Sequence, residues 1–404
     1  MQGKELFDIG AWKTADPGLM LEKIRGETHR LPVELWIIDS EIAPVDLYVY
    51  LYARFGPPNG FQMKLKSPTS DNLVHWHWSL QYLDRIIEFS GFTMFAQMAV
   101  EGSSEPTTDD VAQLVNNIKA DFRNYGDDIS QVRKGLERWS VFINPYCRMS
   151  RVVTRFCERL EELNVGGVIL PANPKSPEDM ESFGSRFKAC ADVYSEALGI
   201  CTSLRMLAPV VAESFINLVI FLLVHPSSRV DQRLYDNIFR QDIDVRVRAL
   251  HLNCIGFKKP VDASDRRFKD FQSLMQQRND FLHGNINPAK LAFGEVFFDG
   301  TIPLPKRYED MAELALVNSL KHVEPETALR DLAVVEGLIE LVFDSLEDKA
   351  AKAVQMFMDT LDPGWNEEKK RPGVLFPRNQ STVVFSTKDS GSTASERSDQ
   401  RPSA

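Results

Sequence analysis

The first quarter of the chain is rich in β-branched and aromatic residues at closely spaced apolar positions, a pattern that favours half-buried strands. The predicted strands are residues 33–38, 45–55, 61–66 and 73–80. Residues 56–60, Gly-Pro-Pro-Asn-Gly, are typical of a turn, because Asn and Gly accept a positive φ. We therefore predict a short antiparallel sheet, arranged as a meander, in an N-terminal α+β region over residues 1–108.

From residue 82 onward the apolar positions recur with the period of an α-helix, which predicts a mainly α protein. The predicted helices are residues 110–124, 130–164, 178–207, 210–224, 230–254, 264–283, 308–322 and 325–361. Ser176-Pro177-Glu178-Asp179 marks one helix start, because it combines a capping serine, a proline at the first helical position and an acid three residues after the cap. We predict a helical connector over residues 109–165 and an all-α domain over residues 176–362.

The remaining composition indicates a cytoplasmic protein with a disordered C-terminal tail. Residues 379–404 are dense in Ser and Thr and poor in large apolar groups, so burial cannot offset the entropy lost on ordering. The first thirty residues lack the features of a secretory signal, and the five cysteines form no Cys-x-x-Cys pair. Residues 207–224 are apolar, but Glu213 and Asn217 interrupt them, which predicts a buried helix and no membrane contact.

The charge is distributed unevenly along the chain. The net charge of −10, from 47 basic and 57 acidic residues, by itself argues against a protein that binds a polyanion. Between residues 229 and 290, however, twelve Lys and Arg stand against eight Asp and Glu, whereas between residues 295 and 371 nine stand against seventeen. A local site for a polyanion is therefore compatible with the region around residues 229–290.

The chemically most informative segment is 278–284, Arg-Asn-Asp-Phe-Leu-His-Gly. An arginine followed by four residues and a histidine is a common spacing, and Arg246 and His251 repeat it. The later instance differs because polar Asn279 follows its arginine and Gly284 follows its histidine. It also follows an amphipathic helical pattern formed by Phe268, Phe271, Leu274 and Met275.

This segment resembles the Arg-x4–6-His motif of the HEPN superfamily, whose members often carry a polar residue after the arginine. The resemblance covers about residues 178–361, and residues 210–218 are similar to an acid-bearing helix that packs beside the motif in many members. It implies a HEPN-like helical bundle that cleaves RNA without a metal or cofactor, usually as a homodimer with a shared cleft. Glu213 and Asn279 would be supporting residues. Some members carry an adenylylated tyrosine two residues after the histidine; Asn285 stands there in this chain, so that control is not expected.

The residue chemistry agrees with catalysis by Arg278 and His283. A neutral imidazole can accept the proton of a ribose 2′-hydroxyl, and an imidazolium can donate one to the leaving 5′-oxygen, because histidine titrates near neutral pH. The planar guanidinium of Arg278 would bind the phosphate as charge develops on its oxygens. The internal nucleophile is the 2′-hydroxyl, so RNA would be cut and DNA would not.

Helix geometry constrains how these two residues cooperate. Five residues of a continuous helix turn through about 500°, which places Arg278 and His283 roughly 140° apart and about 7.5 Å along the axis. Either a helix end lies between them, which Gly284 and Pro288 would favour, or each works with the partner subunit's copy. Both arrangements favour a dimeric site.

Alternative interpretations remain for the motif and for a histidine pair. His283 could be an ordinary residue of a last helical turn, with Arg278 paired to a nearby acid such as Asp270 or Glu213. His75-Trp76-His77-Trp78 places two histidines on one face of a strand, but no third metal ligand follows at a recognisable spacing, so we expect an amphipathic strand and no metal.

Phosphate-loop and Gly-x-Ser-x-Gly motifs are absent from the sequence, which weakens nucleotide-hydrolase and serine-hydrolase alternatives.

The leading hypothesis from the sequence is therefore a metal-independent HEPN-type endoribonuclease. It would be a cytoplasmic homodimer whose N-terminal region senses a trigger or binds a regulatory protein. The resemblance alone implies a role in antiviral defence or in a toxin–antitoxin system. The alternative is a non-catalytic helical scaffold of HEPN-like fold that binds RNA or protein.

Overall fold

The computed structural model describes residues 8–16, 18, 33–38, 41–66, 72–83, 85–102, 106–284, 286, 292, 294–306, 310–321 and 323–375. The chain divides into two units. The first unit contains Met1–Val141 with Gly364–Ala404, and the second contains Phe142–Pro363. The tail predicted over residues 379–404 lies outside the described residues, and the limits predicted for the other regions stay predictions.

Helices predominate, and strands are concentrated near the N-terminus. In chain order, the strands of the described residues are β1 (Lys13–Thr14), β2 (Val33–Ile38), β3 (Trp76–Tyr82), β4 (Arg85–Gly91), β5 (Ala96–Glu101), β6 (Ser140–Val141), β7 (Val296–Asp299), β8 (Ile302–Pro305), β9 (Gly364–Asn366) and β10 (Arg371–Gly373). The α-helices are α1 (Pro44–Phe55), α2 (Gln62–Leu65), α3 (Thr108–Asp121), α4 (Gly126–Lys134), α5 (Pro145–Leu163), α6 (Pro177–Leu223), α7 (Pro226–Val230), α8 (Gln232–Arg240), α9 (Ile243–Arg248), α10 (Leu250–Asn253), α11 (Arg266–Leu282), α12 (Asn318–Leu320), α13 (Pro325–Phe343) and α14 (Asp348–Met358). The predicted mainly α class, with an antiparallel sheet followed by a helical region, is confirmed.

The first unit contains a five-stranded antiparallel sheet in the order β1-β3-β4-β5-β2. Strands β3, β4 and β5 form a meander, and β2 pairs with β5 along its whole length. The prediction that the helical pattern begins at residue 82 is wrong for β4 and β5. Every second residue of these strands is buried, including Ile87, Phe89, Met98 and Val100, which is the period of a sheet with one face on a core.

Residues 45–55 form helix α1 and not the predicted strand. Its fully buried residues are Leu47, Val49, Tyr50 and Leu51. Leu47, Tyr50 and Leu51 recur at intervals of three and four, and this helical face belongs to the same core cluster as the sheet. The valines and tyrosines of this segment favoured a strand by propensity, but packing of the helical face decides its structure. The predicted strand at residues 61–66 likewise contains the helical turn α2.

The core of the first unit is aromatic. Trp78 and Phe89 are fully buried in a cluster formed by the sheet with residues of α1 and α3. The indole Nε1–H of Trp78 donates to the carbonyl of Gly56, 3.0 Å away. Helix α3 begins with a reciprocal capping box between Thr107 and Asp110, which satisfies backbone N–H groups at its start. Burial of Trp78 with its donor satisfied makes this side chain central to the stability of the unit.

Replacing Trp78 by Ala should lower the free energy of unfolding of the first unit by about 3–5 kcal/mol, because a large cavity replaces a buried aromatic ring. All six tryptophans lie in this unit, so tryptophan fluorescence during a urea titration follows its unfolding. The matched control is Met94→Ala, since Met94 is 60% exposed and its loss should change the free energy by less than about 0.5 kcal/mol. If Trp78→Ala and Met94→Ala unfolded at the same urea concentration, the burial of Trp78 in the core would be contradicted.

The second unit is built around α6, a single helix of 47 residues. Helices α5, α11, α13 and α14 pack against it, and α11 also packs against α13. The sequence predicted two helices here, at residues 178–207 and 210–224, separated near Pro209. That prediction is wrong, because Pro209 lies buried inside the continuous helix. Packing on several sides compensates for the hydrogen bond that proline removes.

The apolar part of α6 is a core segment. By length and composition alone α6 could cross a membrane, but 56% of its most apolar 18-residue window is buried inside the structure. Helices that form the centre of a soluble domain have the same composition, because they are surrounded by other helices. This burial agrees with the buried helix that the sequence predicts.

Several predicted helices are interrupted. Residues 130–164 contain α4, β6 and α5; residues 230–254 contain α8, α9 and α10; and residues 325–361 contain α13 and α14. In the prediction at 308–322, the described residues form a π-helix at Glu313–Val317 followed by α12, and its two end residues lie outside the described residues. The apolar period continues across these breaks because each short helix still faces the core, so periodicity alone did not reveal them.

Candidate functional site

A cleft of about 620 Å³ opens in the second unit. It is lined by Glu213 of α6, by residues between 239 and 246 from α8, α9 and the break between them, and by residues between 271 and 279 of α11. Two of the lining residues, Arg278 and Asn279, belong to the segment that the sequence singled out. The fold therefore places Arg278, Asn279 and Glu213 at one cleft.

Helix α11 presents Arg278 to the cleft. Phe271 and Leu274 are buried on the core-facing side of the helix. Arg278 follows these residues by seven and four positions, so it lies on the same side of the helix, about one turn further on. Its side chain is half-buried, and Nη1 donates to Oδ1 of Asn279 at 3.2 Å. Within the part of the chain that the structure describes, its Nε–H has no hydrogen-bond partner.

Glu213 does not pair with Arg278. Its Oε1 lies 2.5 Å from Nη2 of Arg246, whose Nη1 donates to Oδ1 of Asn217 at 2.6 Å. Asp270, the other acid predicted as a partner of Arg278, lies 3.5 Å from Arg266. The alternative in which Arg278 forms an ion pair with Glu213 or Asp270 is wrong, since other arginines hold both carboxylates.

His283 lies just beyond the end of α11. Its backbone N–H donates to the carbonyl of Asn279 at 3.1 Å, and Gly284 has a φ of 60°, a left-handed conformation that favours glycine after a helix. The helix therefore ends between Arg278 and His283, which is one of the two arrangements expected from the sequence. The side chain of His283 is exposed and does not line the cleft. Pro288 and Asn285, which the sequence argument also used, lie outside the described residues.

Arg246 is a cleft residue that the sequence interpretation overlooked. It is only 5% exposed, and none of the described residues accepts a hydrogen bond from its Nε–H. The sequence presented it as a repeat of the Arg/His spacing, but His251 lies elsewhere, with its Nδ1 3.1 Å from the carbonyl of Arg248. The helical periodicity could have indicated its burial, because Arg246 lies three residues after Ile243 and four before Leu250 and so shares the buried face of that segment.

The cleft is balanced in charge. Arg240, Arg246 and Arg278 contribute three guanidinium groups, and three carboxylates, those of Glu213, Asp242 and Asp244, line the same cleft. The ion pair with Glu213 neutralises Arg246. Within the described part of the chain neither Arg278 nor Arg240 makes an ion pair, so both guanidinium groups can meet an anionic ligand, and Arg278 is the one that belongs to the segment singled out in the sequence.

His77 lies in β3, and His75 directly precedes that strand. His77 is 4% exposed, and its Nε2 lies 3.6 Å from Oε1 of Glu88; burial lowers its pKa, although Glu88 acts in the opposite direction. Nε2 of His75 lies 2.9 Å from the hydroxyl of Thr93, and burial lowers its pKa as well. Among the described residues there is no group of three or more His, Cys, Asp and Glu side chains able to hold a metal ion.

Comparisons with other proteins do not assign the chain to a family. No protein-family model, curated protein or solved structure matches it. The resemblance of residues 278–284 to the HEPN motif therefore rests on the sequence itself. The chemistry of the cleft is the remaining guide to its function.

Proposed function

We propose that the second unit is a HEPN-like ribonuclease domain that cleaves RNA without a metal ion. The observation that carries the proposal is the half-buried Arg278, which lines a cleft without an ion-pair partner among the described residues, five positions before an exposed histidine. A guanidinium of this kind can hold the non-bridging oxygens of a phosphodiester through parallel hydrogen bonds. The adjacent Asn279 supports it by accepting a hydrogen bond from Nη1.

The reaction is an internal transfer at phosphorus. The imidazole of His283 removes the proton from the ribose 2′-hydroxyl, and the 2′-oxygen forms a bond to phosphorus. The bond from phosphorus to the 5′-oxygen breaks, and that oxygen takes a proton from an imidazolium. The products are a 2′,3′-cyclic phosphate and a free 5′-hydroxyl, so no water, metal or oxidant is consumed. Arg278 stabilises the charge on the phosphate oxygens during this transfer.

A homodimer would complete this site. One chain presents Arg278 and Asn279 at the cleft but leaves His283 exposed outside it. Two protomers related by a twofold axis can place the partner's His283 opposite Arg278, and the same contact then forms twice. The proposed assembly is therefore a cytoplasmic homodimer with two composite sites.

The biological role is proposed from the resemblance to the HEPN superfamily alone. Ribonucleases of this kind act in antiviral defence or as toxins held by an antitoxin. The first unit, with its five-stranded sheet, would then sense the trigger or bind a regulatory protein. Growth arrest on expression, measured as colony counts, is the cellular readout of such an activity.

The test of the proposed chemistry is cleavage of a labelled single-stranded RNA by the purified protein, with and without a chelator. We expect cleavage to continue at the same rate with the chelator. A matched strand with deoxyribose in place of ribose should stay intact, because it lacks the nucleophile. Loss of cleavage with chelator, or cutting of the deoxyribose strand, would overturn the mechanism. Absence of any cleavage would favour the alternative of a non-catalytic scaffold, which the balanced charge of the cleft makes the second candidate.

A further inference from the structure

Three polar atoms at the cleft are buried without hydrogen-bond partners in the described part of the chain. They are Nε of Arg246 and Nε of Arg278, which are donors, and Oε1 of Gln241, which is an acceptor. Buried polar groups are almost always paired, because an unpaired group loses its hydration without compensation. Residues that line one cleft thus carry two donors and one acceptor that a ligand could pair with after a small movement of the side chains.

Arg246 is held rigidly for such a role. The residue is only 5% exposed, and Glu213 and Asn217 each accept a hydrogen bond from one of its terminal nitrogens. These contacts fix the plane of the guanidinium and leave Nε–H as the donor without a partner. With its charge neutralised by Glu213, Arg246 acts as an oriented donor and adds little net attraction.

Gln241 supplies the complementary acceptor. It ends α8 with an extended backbone, φ −68° and ψ 153°, which interrupts the helical pattern and places its half-buried side chain at the cleft. Further carboxamides, those of Gln272, Gln276 and Asn279, line the same cleft from α11. Carboxamides are the side chains that pair with the donors and acceptors on the edges of nucleobases.

An aromatic ring lies beside these groups. Phe239 is half-buried, lines the cleft and packs edge-on against Tyr235 at a centroid distance of 5.0 Å. Aromatic side chains of this kind stack against bases of single-stranded nucleic acid. The cleft volume of about 620 Å³ lies within the range of roughly 300–1,000 Å³ that is usual for small-molecule sites. The cleft therefore has room for one nucleotide.

We infer that the cleft binds a single nucleotide unit, with Arg278 and Arg246 donating to its phosphate and Gln241 accepting from an N–H group of its base. The inference rests on the proposed function where the nucleotide is part of an RNA strand, and it makes Gln241 a specificity-determining residue. A free nucleoside monophosphate offers the same chemistry. The two sources differ in whether flanking nucleotides add affinity.

The test uses Gln241→Met in the full-length protein, because methionine keeps the length of the side chain and removes the acceptor. Isothermal titration calorimetry measures binding of AMP, CMP, GMP and UMP, and of 2′-O-methyl oligonucleotides that cannot be cleaved. We expect the wild-type protein to prefer one base, and the variant to bind the preferred probe on the order of tenfold more weakly. The control Gln355→Met changes an exposed glutamine of α14 outside the cleft and should bind as the wild type does.

The folded state of the variant is checked by its thermal midpoint, which should be unchanged or raised, since an unpaired buried acceptor is removed. Absence of binding to every probe, or equal binding by the wild type and Gln241→Met, would overturn the inference. If RNA is cleaved but Gln241→Met binds normally, the ribonuclease proposal stands and base recognition fails. If binding depends on Gln241 but RNA stays intact, the cleft is a nucleotide site without nuclease activity. Tighter binding of oligonucleotides than of monophosphates identifies RNA as the source.

Discussion

Arg278→Ala and His283→Ala should each lower the rate of RNA cleavage by about 10²–10⁴-fold, since each removes one group that acts in the transition state. Arg278→Ala removes a guanidinium from the cleft, and His283→Ala removes the group that transfers the proton. Neither change should unfold the protein, because Arg278 is half-buried without an ion pair and His283 is exposed. Initial rates on a labelled single-stranded RNA measure the effect.

Matched controls come from the same chain. Arg266→Ala removes a largely exposed arginine at the start of α11, and His251→Ala removes the histidine of the repeated spacing. Both controls should keep rates within about twofold of the wild type, because neither residue lines the cleft that holds Arg278. Equal cleavage by wild type, Arg278→Ala and His283→Ala would show that the motif does not catalyse the reaction.

A mixed dimer of an Arg278→Ala chain and a His283→Ala chain should regain about half of the wild-type rate, because one of its two composite sites is complete. Purification through two different tags isolates the mixed species. The expectation follows from the position of His283, which lies past the end of α11 and outside the cleft that holds Arg278. The readout is the initial rate per dimer, compared with each homodimeric variant.

The converse pairing separates sites within one chain from sites shared between chains. A wild-type chain paired with an Arg278→Ala/His283→Ala chain has no complete shared site, so it should be inactive. A site formed within one chain would reverse both results, because this second dimer would then keep about half of the activity and the first would have none. A monomer in sedimentation experiments, active at all concentrations, would exclude the composite site altogether.

Periodicity and residue propensity predicted a helix or strand correctly where the residues that pack in the core are also ones that favour that structure. Strand β2 was predicted with the limits that the structure gives it, and α11 within two residues at its start and one at its end. Helix α1 was not, because its valines and tyrosines favour a strand while Leu47, Tyr50 and Leu51 pack as a helical face. The continuity of α6 through Pro209 also depends on neighbouring helices, which no local pattern describes.

At the candidate site, too, the sequence could predict some features and not others. The placement of Arg278 on a helix with a buried face follows from the spacing of Phe271 and Leu274. The partner of Glu213 does not follow from spacing, because Arg246 lies 33 positions away and the choice between two arginines depends on how three helices pack. For the same reason the sequence could not assign Gln241 to the cleft, because the periodicity placed it inside one continuous helix over residues 230–254, whereas it lies at a break between two helices.

The equal numbers of guanidinium and carboxylate groups at the cleft affect how RNA would be held. Binding of nucleic acid is usually driven by the release of counterions condensed on its phosphates, in proportion to the positive charges that replace them. Here Glu213 already neutralises Arg246, which leaves few charges to displace those ions. RNA bound in this cleft would therefore release few counterions, and its affinity would change little with ionic strength. Strands would then be distinguished by hydrogen bonds and stacking, under conditions in which nonspecific basic proteins release nucleic acid.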